Sequence, residues 1–578
     1  MRSASRSLRL RVAAPLVAVV AALGVIALAQ GAGNGQRELP SGRRTPTRAG
    51  ATPGEEPKGT AIIRGFVVAA DTGQPLRRAQ VRLSSPETRE SRLATTDSQG
   101  RFEARELVGG RYTISASKGG FVSLQYGQRR PSEQGTPIDI KDGQLIERLL
   151  IGLPRGSVIS GRITDEFGEP VANAVVSAAR FGYAGGARRA LPIGGQNGRD
   201  TTDDLGQFRL FGLAPGDYYI TAAFRGGGEV TDPAQDVTGF APTYYPGASS
   251  LAEAQRVPVG LGQETTNVSF ALIATRLVRV SGNVIDSNGA PLAAGGSVML
   301  VPADRREALP MMRGGGGRVE PTGRFRITNV APGRYLLHVR TGRQGAEFGR
   351  MAIAVGDQDL DNLTIVTAPG ATASGRVLTD SGQPPSLSPS TVTISSRPAD
   401  ADSAPLPGGN NARVNADWTF ELAGLYDMRL IRAGVPQGWA LDAVTLNGQD
   451  ITDVPLEFSP GQKVTGLQVV LTSRLTDLSG TIVDDRGQPV LDASVVVFPA
   501  DDRLWTFQSR FVRVARPDQS GRYQIQGLPA HDDYLAIAVQ GLEDGQANDT
   551  QFLTSIRDAA TPLRLSAGEG KVVDLKMR

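Results

Sequence analysis

One run of residues is written five times along this chain: a glycine with a short apolar stretch, an aspartate, a Gly-x-Pro turn, then Gly-x-aromatic and Pro-Gly-x-Tyr. The opening glycines stand at Gly65, Gly161, Gly282, Gly375 and Gly480. Their spacing, on the order of 100 residues, is the length of a domain and exceeds the roughly 20–50 residues of a solenoid repeat. The second copy is the most complete, with Asp165, Gly168, Pro170, Asp204, Gly206, Phe208, Pro215, Gly216 and Tyr218. The fourth is degraded: Trp418-Thr419-Phe420 replaces the glycine turn, and Gly424-Leu425-Tyr426 replaces Pro-Gly-x-Tyr.

Each copy opens on β-branched or aromatic residues, breaks at Gly/Asp/Pro and resumes with an alternating run such as Ala79-Gln80-Val81-Arg82-Leu83. Period-two alternation between turn signals is the pattern of half-buried strands. Proline lacks the N–H that a strand interior needs, so Pro75, Pro170, Pro291, Pro384 and Pro489 mark strand boundaries. Phe102, Phe208, Phe325, Phe420 and Tyr523 fall at equivalent places and are expected to point inward. Several short strands per 100 or so residues, with no competing helical period beyond residue 30, predict an all-β chain of tandem β-sandwiches.

The first 29 residues carry Arg2, Arg6, Arg9 and Arg11 and no acid, followed by an apolar run from Val12 to Ala29 that ends in Ala27-Leu28-Ala29. This is the layout of an export signal, expected to be cleaved after Ala29, and its 18-residue apolar run is also close to the length of an uncleaved membrane anchor. Removing those four arginines from 62 basic residues leaves 58, equal to the 58 acidic ones, so the charge gives no ground for a nucleic-acid partner. Residues 30–60 read as a Pro/Gly/Arg/Thr linker. There is no cysteine, so an exported chain of this kind relies on its apolar cores.

The Gly-x-Val-x-Asp-x-x-Gly-x-Pro opening, the Asp-x-x-Gly-x-Phe centre and the Pro-Gly-x-Tyr close together resemble the carboxypeptidase regulatory-like domain over nearly all of residues 61–578. The resemblance implies Greek-key, prealbumin-like sandwiches at 61–154, 155–275, 276–369, 370–473 and 474–578. It implies too a non-catalytic accessory or surface module, since the zinc chemistry of metallocarboxypeptidases belongs to a separate domain. The segment from Gly438 to Asp453 is similar to one in large multi-copy exported proteins of soil bacteria.

Residues suited to chemistry are sparse. His338 and His531 are the only histidines and lie in different copies, and no nucleophile elbow, zinc-binding His-Glu-x-x-His or phosphate-cradling loop is present. Asp357, Asp359 and Asp361 alternate, but Asn362 and Ala368 stand where a calcium-binding EF-hand loop needs glycine and glutamate, which favours a solvated face. The six lysines spare copies two and three altogether, so isopeptide cross-links cannot be general. Catalytic groups, metal and cofactor are therefore all expected to be none.

Binding is the remaining chemistry. Phe240, Tyr244 and Tyr245, in the long insertion of copy two, could stack on sugar rings or on peptide prolines, or could fold back as an edge-strand plug on their own sandwich. Trp418, Trp439 and Trp505 read as core or loop anchors. The expected protein is an exported, monomeric, non-catalytic scaffold that binds envelope protein or polysaccharide, touching a membrane only through an uncleaved N-terminal segment. Two other readings are an accessory subunit of a separately encoded peptidase or transporter, and a hydrolase with a carboxylate pair in the insertion of copy two.

Overall fold

The structure, a computed structural model, describes residues 59–577 except 86–89, 129, 131–132, 195–196, 225–236, 293–295, 304–314, 342–346 and 401–409. The export segment and most of the linker expected from the sequence lie outside the described residues. Pro57–Arg578 forms one compact unit. Strands dominate it; the α-helix Thr550–Ile556 spans seven residues, and no helix among the described residues is long and apolar enough to cross a membrane.

Each copy of the repeat folds into a pair of sheets enclosing an apolar core. In the first, Ala61–Ala69 lies between Arg101–Leu107, antiparallel, and Leu145–Leu153, parallel. The facing sheet orders Glu90–Thr95, Gln80–Ser85 and Gly110–Ser117, with Leu124–Gln125 and Ile138–Ile140 at its edge. The parallel pairing of first and last strands recurs in every copy. Among the described residues this gives five main cores, each holding one of the predicted inward aromatics: Phe102, Phe208, Phe325, Phe420 and Tyr523 are at most 4% exposed.

The register explains the opening glycine. Gly65, Gly161, Gly282, Gly375 and Gly480 sit directly opposite those five aromatics. On the other side, the closing parallel strand bulges or breaks at that level, bringing a carbonyl against the glycine. A Cβ at Gly161 would lie 2.1 Å from the Val268 carbonyl oxygen, and one at Gly480 1.9 Å from that of Val573. Close backbone approach, and not a positive φ, is what reserves this position for glycine.

The aspartate of the opening turn is a clamp. Asp165 Oδ1 accepts from the amides of Phe167 and Glu169 at 2.9 and 2.8 Å, and Asp286 and Asp484 do the same in copies three and five. In the second turn of copy two the clamp is Asp203, not Asp204: its Oδ1 accepts from Leu205 and Gln207. In copies one and four the aspartate is displaced by one position, and it is spent between sandwiches: Arg155 pairs with Asp71 at 2.8 Å, and Arg474 with Asp380 at 2.5 Å.

The tyrosine of Pro-Gly-x-Tyr is buried and ties the hairpin to the chain just upstream. Tyr218 donates to the Ala214 carbonyl at 2.6 Å, Tyr335 to Ala331 at 2.9 Å and Tyr534 to Pro529 at 2.9 Å. In copy four the equivalent residue is Arg429 and not Tyr426, because Arg429 pairs with Pro398 as Tyr335 pairs with Pro302 and Tyr534 with Pro499. Its guanidinium donates to the Tyr426 carbonyl at 3.0 Å, so a cation does the tyrosine's work. Trp418 holds the left-handed φ of 64° that Gly206 and Gly323 supply elsewhere.

Candidate functional site

Phe240, Tyr244 and Tyr245 do not form an exposed platform. Thr243–Tyr244 adds as an edge strand to Gly216–Phe224, and the Tyr244 side chain, 3% exposed, packs on the outer face of that sheet with Ala179, Ala190 and Leu251. Tyr245 turns the other way, into the second core, where its ring meets Phe270 edge-on at 5.9 Å. Phe240 packs against the same core beside Phe224, and its strand, Val237–Ala241, pairs with the first residues of the Ile273–Ile285 strand. The insertion is thus a plug on sandwich two and a splice onto sandwich three. Apolar area decides this: an aromatic gains more from a nearby uncovered sheet than from water.

The other sequence candidates are likewise occupied by structure. His338 is buried in the third sandwich, 6.0 Å from the Phe348 ring, and His531 lies between Phe511 and Tyr534. The carboxylates of Asp359 and Asp361 close on the Arg279 guanidinium at 2.9 and 3.2 Å, which holds Asp361 below the usual carboxylate range. Trp505 anchors a loop through its indole N–H to the Pro499 carbonyl at 2.8 Å, and Trp418 and Trp439 pack against the fourth core.

A surface that the sequence did not signal is the cleft where the first, second and fifth sandwiches meet. Its volume is about 1170 Å³. The first sandwich contributes Arg111, residues 123–125 and 133–135, Gln128 and Pro137, the second the Ala174–Ala184/Ala187–Pro192 hairpin, and the fifth Val514–Arg516 with Glu543 and Asp544. The walls are fastened across very long sequence separations. The buried Arg516 guanidinium donates to the Gln134 carbonyl, and Arg111 donates to the Arg516 carbonyl at 3.2 Å. The fifth sandwich also presses on the hairpin of the second, so that a Cβ at Gly545 would fall 2.6 Å from the Tyr183 carbonyl oxygen.

Charge and aromatic surface are mixed on these walls. Arg111 faces Asp139 at 3.6 Å and Arg256 faces Asp217 at 3.5 Å. Arg188 lies over the Phe181 ring, 5.3 Å from its centre, and Phe181 meets Tyr219 edge-on. Burial raises the Tyr218 hydroxyl above its ordinary range, against the opposing field of Arg180. The acids come from three different sandwiches: Glu133, Asp217, and Glu543 with Asp544.

Comparison with known proteins bears on the first two copies most directly. The carboxypeptidase regulatory-like domain model matches residues 62–141 and 158–272. Among solved structures, a streptococcal ancillary pilin is 13% identical, covering 54% of this chain and 99% of its own with a TM-score of 0.18. A minor pilin of Streptococcus agalactiae is 14% identical over 37% of this chain and 96% of its own, at 0.19. The major pilin subunit of Bacillus cereus is 12% identical over 53% and 99%, at 0.13. No curated protein matched. Residues 62–141 and 158–272, which carry the opening glycine facing its core aromatic, are similar to carboxypeptidase regulatory-like domains and stand at the head of a tandem array of β-sandwiches.

Proposed function

We propose that this is an exported, non-catalytic scaffold of the cell envelope, which binds protein or polysaccharide in the cleft between its first, second and fifth sandwiches. The observation that carries the reading is the cleft itself. At about 1170 Å³ it exceeds the roughly 300–1,000 Å³ of a small-molecule pocket, and arginines, amides and ring faces from three sandwiches line it. The reading also rests on the tandem carboxypeptidase regulatory-like domains and on the arginine-rich apolar leader of the sequence. A hydrolytic pair would need two carboxylates in one place with different environments. The pair expected in the insertion of copy two would draw on residues 225–236, which lie outside the described residues, and of the acids that line the cleft Asp217 is paired with Arg256.

The test is capture of isolated envelope polysaccharide and of envelope proteins by the mature protein, with Arg180→Glu/Arg188→Glu as the cleft variant. Loss of capture with an unchanged melting temperature supports the cleft. Equal capture by the variant moves binding elsewhere. Turnover of peptide or glycan substrates by pure protein overturns the non-catalytic reading, and co-purification with a peptidase or transporter favours the accessory-subunit reading.

A further inference from the structure

The two clamped turns of the second sandwich carry residues that folding does not ask for. Phe167 and Leu205 occupy the position before the turn glycine and are 83% and 54% exposed. Their amides are held by Asp165 and Asp203, so the side chains project from fixed backbone. The turns share one end of the sandwich: Ile163 N–H donates to the Gly206 carbonyl at 2.8 Å, and a Cβ at Gly206 would come within 3.2 Å of Pro170.

The other copies act as internal controls. The same two positions are Thr72 and Gln99, Asn288 and Thr322, Ser381 and Asp417, and Arg486 and Ser520. The clamp forms equally well with Gln99, Asn288, Arg486 or Ser520 in place. A single exposed apolar residue is ordinary on any surface. Two at one tip, polar in all four other copies, mark a contact. Around them Asp165, Glu166, Glu169, Asp203 and Asp204 make an acidic rim, and the two turns, 165–170 and 203–206, contain no lysine or arginine.

The complementary surface is on this same chain. The second-sandwich wall of the cleft offers Arg180 and Arg188, which enter no ion pair among the described residues, beside the rings of Phe181 and Tyr219. Of the cleft's acids, Asp217 on the same wall is paired with Arg256 and Glu133 on the first-sandwich wall with Arg130, while Glu543 and Asp544 are on the fifth-sandwich wall. The tip cannot reach the cleft of its own molecule. The strand Gln207–Leu213 separates the Gly206 turn from the cleft-lining Pro215, and seven residues at about 3.4 Å each hold them roughly 24 Å apart. We infer that the Phe167/Leu205 tip of one molecule seats in the arginine-lined cleft of a second copy, a head-to-tail contact that repeats along a chain of molecules. It rests on the binding reading of the cleft and names its partner.

Sedimentation velocity over a concentration series tests this with three proteins: wild type, the tip variant Phe167→Asn/Leu205→Thr, which installs the residues of copy three, and the cleft variant Arg180→Glu/Arg188→Glu. Wild type is expected to self-associate, less so at high salt as the charged rims are screened. Losing the apolar anchors should weaken association by roughly thirtyfold or more. Because each variant keeps one half of the contact, an equimolar mixture should form a one-to-one dimer that grows no further. Should the cleft variant misfold, Arg188→Glu alone, at an exposed position, replaces it. A wild type that stays monomeric to its solubility limit, or a tip variant that associates as wild type does, overturns the inference. If the cleft variant then still loses envelope capture, the binding reading survives without it; if it captures normally, both fall.

Discussion

At the scale of single residues, the repeat is a set of answers to local steric and polar problems. Gly161 is glycine because the Val268 carbonyl occupies the space of a side chain, so Gly161→Ala should cost about 1–3 kcal/mol through strand displacement, read as a lower urea midpoint. The buried tyrosines give a pH signature. Burial raises the hydroxyls of Tyr218, Tyr335, Tyr523 and Tyr534 above their ordinary range. The unfolded chain releases those protons near pH 10, while the folded chain keeps them. Their contribution is thus fully present below about pH 10 and is lost as pH rises toward the folded values. Urea midpoints should fall steeply above about pH 10. A Tyr218→Phe/Tyr534→Phe variant should show a shallower fall, since two of the groups no longer titrate. A flat profile would mean these hydroxyls ionise as readily folded as unfolded.

At the scale of elements, alternation and turn chemistry were legible, while the meaning of the departures was not. The five inward aromatics and the strand boundaries followed from period-two patterning, because one face of each strand has nowhere to go but the core. Tyr244 and Tyr245 were ambiguous because a sequence shows an aromatic pair without showing the bare sheet face beside it. Tyr244→Ala should therefore lower the stability of the second sandwich by about 3 kcal/mol, leaving its folded fraction fully competent in envelope capture. Lost capture at unchanged stability would return the tyrosines to the binding surface. Copy four misled for a related reason. Aligning tyrosine on tyrosine hid the register in which Arg429 takes the corner and frees Tyr426. The cleft left no signal because it is built by residues about 400 positions apart.

At the scale of the whole molecule, the copies are not beads on a string. The Ile273–Ile285 strand serves sandwiches two and three at once. Between three and four, Phe348 stacks on Tyr426 with ring centres 4.2 Å apart and planes 6° from parallel; Arg429 covers the far face at 4.5 Å, and Arg350 pairs with Asp427. Between four and five, Asp453 receives both Arg432 and Arg510. The last link is the one between first and fifth, where the buried Arg516 donates to Gln134. Gln134 is exposed, so water can replace the lost donor, and the cost is that of a net hydrogen bond from a charged group, about 1.5–3 kcal/mol. That is small beside the stability of any core, but large beside a junction held by few contacts. Arg516→Ala should thus open the first-to-fifth contact and leave the sandwiches folded. Hydrogen exchange is expected to accelerate at 133–137 and 514–516, with no change in the opening strands around Gly65 and Gly480. Acceleration confined to the fifth core would make Arg516 a core residue only, and unchanged exchange throughout would mean that the neighbouring Arg111 contact and the Gly545 approach hold the ends together without it.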